Sequence, residues 1–122
     1  MTAAADPVAP TQPTDALLAE VVARIRLAAS PERIILFGSA ARGEMRSTSD
    51  LDVLVMAPAG THRRQLTQAI YERLIGLGVP VDIVVVTSDD VERYGQAAGL
   101  VLVLEPALRE GLVLYERIGA AA

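Results

Sequence analysis

The sequence predicts one domain of the α/β (α+β) class, a small sheet packed against helices. Three observations point there. Segments whose apolar residues recur at one-face helical spacing alternate with short β-branched runs, 122 residues leave room for a single core, and that core must be aliphatic. Phe37, Tyr71, Tyr94 and Tyr115 are the whole aromatic content of a chain that is 52% hydrophobic, so Ala, Val, Leu and Ile fill the interior.

Residues 1–13 are rich in Pro, Ala and Thr and lack both the basic start and the apolar stretch of a secretory signal. They read as a mobile tail ahead of a domain over 14–118. Thr14 suits a helix N-cap, with Leu17, Leu18, Val21, Val22 and Ile25 on one face until Ser30-Pro31 ends the pattern. Residues 33–37 and 50–56 are strand-like and close on Gly38 and on Pro58 and Gly60. A second amphipathic helix is expected over 61–77, with Leu66, Ala69, Ile70, Leu74 and Leu77 inward, and a third strand over 81–87 after Pro80. Ser88 then suits a helix cap, 97–104 carries no charge, Pro106 fits the first turn of a further helix, and 111–116 reads equally as a strand or a helix end.

Composition removes several function classes. All 11 basic residues are arginine and the acidic ones number 15, a net charge of −4 that argues against a direct nucleic-acid coat. With no cysteine and one histidine, disulfide scaffolds, thiol nucleophiles and histidine or cysteine metal cages are excluded, so any metal must be held by carboxylates. No apolar run approaches the roughly 20 residues that span a bilayer, and a cytoplasmic location with no membrane partner is expected.

Three carboxylates lie where a structural strand prefers apolar side chains. Asp50 and Asp52 are two apart, so the strand period points both to one face while Leu51, Val53 and Val55 point to the other. Asp82 is a lone acid among Val81, Ile83 and Val84. Acids so placed repel one another unless a cation lies between them, and oxygen donors alone suit Mg²⁺, or Mn²⁺, completed by phosphate and water. Gly38-Ser39, at the turn from the first strand into an expected short helix through Ala40, Ala41 and Arg42, supplies a second component. There a phosphate can approach the backbone and meet amide, hydroxyl and guanidinium donors from Ser39 and from Arg42 or Arg46.

In the residues RIILFGSAARG (33–43), SDLDVLV (49–55) and VDIVVVT (81–87) the chain resembles the minimal nucleotidyltransferases of the DNA polymerase beta superfamily. REGLVLYE at 109–116 is similar to the end of that family, so the likeness covers nearly everything after residue 14. The resemblance implies a nucleotidyltransferase-like domain with a small mixed sheet. It implies that Asp50 and Asp52 ligate two Mg²⁺ ions, that Asp82 completes the metal site beside an attacking hydroxyl, and that Gly38 and Ser39 hold the triphosphate of ATP, where the residues themselves add Arg42 as a further donor. It further implies an antitoxin that adds AMP to a tyrosine of a separately encoded HEPN-type toxin, in a hetero-oligomer with that toxin or as a homodimer. The chain length accords with a partner that brings the acceptor. Two alternatives stand beside this reading: an antitoxin that masks its partner without catalysis, and a transferase acting on a small molecule such as an aminoglycoside.

Simpler explanations cover the remaining polar and aromatic residues. His62, Arg63 and Arg64 suit the solvated start of a helix, and Tyr94 and Tyr115 suit half-buried packing better than base stacking. Taken alone, Ser39 would cap a helix, Asp82 would guard an edge strand, and Asp50 and Asp52 would open an exposed one.

Overall fold

The computed structural model describes residues 13–44, 50–92 and 107–117. Residues 1–12 of the expected tail over 1–13, the segment around Arg46, Tyr94, the 97–104 stretch and Pro106 lie outside the described residues. Elements run in the order α1 (Asp15–Ala28), β1 (Arg33–Phe37), α2 (Gly38–Ala41), β2 (Leu51–Ala57), α3 (Arg63–Leu74), β3 (Val81–Thr87), α4 (Ser88–Glu92) and β4 (Leu112–Glu116). Thr14 caps α1 as its position predicts, its hydroxyl accepting from Leu17 N at 3.1 Å. At α3 the cap is His62, whose Nδ1 accepts from Gln65 N at 3.3 Å, and the helix is shorter than its apolar stripe suggests. It stops because Ile75 turns to extended ψ and Gly76 takes a positive φ of 86°.

The four strands form one sheet in the order β3-β2-β1-β4, mixed in direction. β1 pairs antiparallel with β2 and with β4, whereas β2 and β3 are parallel neighbours joined by the crossover that parallel strands require, here α3. The undecided segment 111–116 is therefore a strand from Leu112 onward. It adds an edge next to β1, with a bulge opposite Ile34 and Ile35.

Strand alternation divides the core in two. Ile34, Leu36, Leu51, Val53, Val55, Ile83 and Val85 pack on one face against Val21 and Ile25 of α1 and Ile70 and Leu74 of α3. Arg24 fixes the two helices to each other by donating to the carbonyls of Arg73, in the last turn of α3, and of Ile75, its C-cap, over 3.2 and 3.0 Å. On the opposite face a smaller cluster of Ile35, Leu54, Met56, Val86 and Ala107 is flanked by Phe37 and Val84.

Ser88 does not cap α4. Its hydroxyl donates to Glu32 at 2.6 Å, and the exchange at the helix start runs between Thr87 and Asp90: Asp90 N donates to Thr87 Oγ1 and Thr87 N to Asp90 Oδ2. The final β3 residue takes the cap because its hydroxyl is buried at the helix start, while Ser88 turns toward the strand-entry residue Glu32.

Candidate active site

The residues singled out by charge and glycine spacing converge at one end of the smaller-cluster face. In the parallel register Asp52 of β2 stands directly opposite Asp82 of β3, and in the antiparallel register Phe37, the last residue of β1, stands opposite Asp52. Cross-strand partners share a face, so both carboxylates project on the side of Leu54 and Val84, away from α1 and α3. Leu51 N donates to Pro80 O at 3.0 Å and ties together the entries of β2 and β3, which holds the two acids side by side.

Gly38 closes the turn after β1 at a φ of +74°, in the left-handed region that favours glycine. A Cβ there would collide with Asp52 Oδ2. The turn thus carries bare backbone up against the Asp52 carboxylate, an approach that any side chain at this position would block. Ser39 follows inside α2 and is half-buried, with its helix capped by no side chain.

The electrostatics of Asp52 record the convergence. Its carboxyl is held above its ordinary value first by burial, then by repulsion from Asp82 and from Asp50, with Arg42 opposing the rise. Asp50 and Asp82 are exposed and Asp52 is half-buried. Arg42 ends α2 with its guanidinium 3.0 Å from Glu44 and 4.0 Å from Glu110, so its fork is shared between two surface glutamates and the acid cluster. Among the described residues no group of three acids is gathered closely enough to hold a metal ion by itself. What suits a hard divalent ion is the donor chemistry: carboxylate oxygens only, with Asp52 and Asp82 side by side on neighbouring strands.

One contact was not foreseen. Tyr71, projecting from α3, receives the amide N–H of Ile83 on its hydroxyl at 2.8 Å and donates to Asp82 Oδ1 at 3.4 Å. His62, Arg63 and Arg64 line a separate cleft of about 680 Å³ with Thr67 and Val85 and touch none of the three acids. Tyr115 is half-buried beneath Arg26, whose guanidinium carbon lies 4.5 Å from the ring centroid, a packing role as expected.

Comparison with known proteins places this geometry. Residues 18–98 match the family model of the nucleotidyltransferase domain, a span that takes in Gly38, Ser39 and all three acids. The chain belongs to this family. No curated protein matches this nucleotidyltransferase. Crystal structures that share its fold include the following. A Sulfolobus solfataricus protein assigned as a nucleotidyltransferase is 20% identical with a TM-score of 0.56, over 84% of this chain and 80% of that one. A toxin-antitoxin structure with AMP-PNP is 23% identical with a TM-score of 0.59, over 83% of this chain and 74% of that one. Domains of this family generally employ divalent metal ions. Among the described residues no helix is long and apolar enough to cross a membrane.

Proposed function

We propose that this nucleotidyltransferase transfers AMP from ATP to a tyrosine hydroxyl of a HEPN-type toxin and thereby acts as its antitoxin in the cytoplasm, through a domain over residues 14–118. The observation that carries the catalytic part is the Asp52–Asp82 pair on adjacent parallel strands, set against the bare backbone of Gly38. The partner and the nucleotide are supported by the resemblance of the 33–43, 49–55 and 81–87 motifs and by the fold shared with a toxin-antitoxin structure that contains AMP-PNP.

In this reading Asp50, Asp52 and Asp82 hold two Mg²⁺ ions, which when bound lower the pKa of the attacking hydroxyl and offset the charge of the departing pyrophosphate. The amides at Gly38 and Ser39, the Ser39 hydroxyl and the Arg42 fork bind the triphosphate. The acceptor oxygen forms its bond to the α-phosphorus in line with the bond to the bridging oxygen of the β-phosphate. That second bond breaks and pyrophosphate leaves. The hydroxyl proton passes to Asp82, which stands on the exposed strand edge where a partner's side chain can approach.

The test is intact-mass analysis of the toxin after co-expression. A gain of one AMP or a small multiple is expected with the wild-type chain and none with Asp50→Asn or Asp82→Asn. Equal neutralisation of the toxin by wild type and both variants, with no mass gain, would replace catalysis by steric masking.

A further inference from the structure

Tyr71 lies on α3, the helix that covers the opposite face of the sheet, yet its hydroxyl reaches around the β3 edge to the acid cluster. Among the described residues β3 has β2 on one side and no strand on the other, so the Ile83 N–H that meets Tyr71 belongs to the sheet edge. Ile83 is a buried residue, and its edge N–H takes the Tyr71 hydroxyl as its partner. Once the hydroxyl has accepted that N–H, its own proton is free to be donated, and Asp82 Oδ1 at 3.4 Å receives it. A chain N–H···O–H···carboxylate polarises along its length and restrains a side chain that is otherwise exposed on a strand edge.

We propose that Tyr71 is a positioning residue that orients the Asp82 carboxylate for divalent-ion binding, with Oδ1 tied to the tyrosine and Oδ2 turned to the ion. This rests on the reading of Asp82 as a metal ligand. Outer hydrogen-bond partners of ligating groups typically change metal affinity by about 10-fold or more, and the length of this bond places Tyr71 at the low end.

The experiment titrates Mn²⁺ into the full chain in the presence of AMP-PNP and reads free Mn²⁺ by electron paramagnetic resonance, for wild type, Tyr71→Phe, Asp82→Asn and the double variant. Two bound ions are expected in wild type. Asp82→Asn should lose or weaken one of them, Tyr71→Phe should weaken the same one by about 10-fold, and the double variant should be no worse than Asp82→Asn alone. AMP-PNP affinity of Tyr71→Phe at saturating metal should stay near wild type, and the metal-free melting temperature, which loses the Ile83 N–H partner, is read beside it to separate folding from metal binding. Tyr71→Met, which retains an apolar contact without a hydroxyl, repeats the comparison so that a folding defect in one variant does not decide it. If Tyr71→Phe and Tyr71→Met bind both ions as wild type does while Asp82→Asn loses one, Tyr71 has no positioning role and the site reading survives. An additional loss in the double variant would show that Tyr71 acts other than through Asp82, and also overturns the proposal. If wild type binds no Mn²⁺, or Asp82→Asn binds as much as wild type, the site reading fails and the role of Tyr71 fails with it.

Discussion

The two faces of the sheet differ in what covers them. The face toward α1 and α3 is a continuous aliphatic layer from Ile34 to Val85, sealed by Val21, Ile25, Ile70 and Leu74. The other face has a smaller cluster around Leu54 and Val86 and ends in the carboxylates of Asp52 and Asp82. The same strands serve both faces, because adjacent residues such as Val53 and Asp52 point in opposite directions. Most of the buried apolar contact is therefore on one side and the facing acids are on the other, where the proposed chemistry lies, and substitutions should separate the two.

The largest stability effect belongs to the covered face. Ile70→Ala removes a fully buried side chain from the centre of the α3 contact and should cost about 2–5 kcal/mol in a chemical denaturation midpoint, a large share of the stability of a domain this size. A cost below about 1 kcal/mol would mean that the helical layer is not what holds the sheet.

Gly38→Ala comes next and belongs to both faces, since it strains a left-handed residue and pushes a methyl group into Asp52. A loss of roughly 1–3 kcal/mol is expected, together with loss of AMP-PNP binding that persists in the fraction still folded. Retained nucleotide affinity would move the phosphate contact away from this turn.

The smallest effect has the opposite sign. Asp52 keeps its proton to higher pH in the folded chain than in the unfolded one. Its contribution to stability is therefore present below the ordinary carboxylate range and is lost as pH rises through the raised value. Asp52→Asn should accordingly raise the metal-free melting temperature at neutral pH and flatten its decline with pH. A lower melting temperature than wild type at neutral pH would show that the carboxylate is structural.

Much of this division can be read in the sequence. Charges inside apolar strands located Asp52 and Asp82, and their period-of-two relation to Leu51, Val53 and Ile83 gave the face. Strand order was not legible, because which distant segments share hydrogen bonds depends on how the chain closes. β4 illustrates this: GLVLYE has the apolar content of either state, and only the free edge of β1 makes it a strand. Local competition misled the cap of α4, where Ser88 is drawn to Glu32 and Thr87 takes its place. Tyr71 was hidden for a related reason. It sits beside Ile70, off the inward stripe of α3, and only the docking angle of the helix brings its hydroxyl to Asp82.

The most direct test of the acid cluster as a divalent-dependent nucleotide site is calorimetric titration of AMP-PNP into wild type and the Asp50→Asn, Asp52→Asn double variant, with and without Mg²⁺. Binding by wild type only when Mg²⁺ is present, weakened by about 100-fold or more in a double variant that melts no lower than wild type, is the predicted result. Equal affinity in the two proteins, or binding indifferent to Mg²⁺, would contradict it.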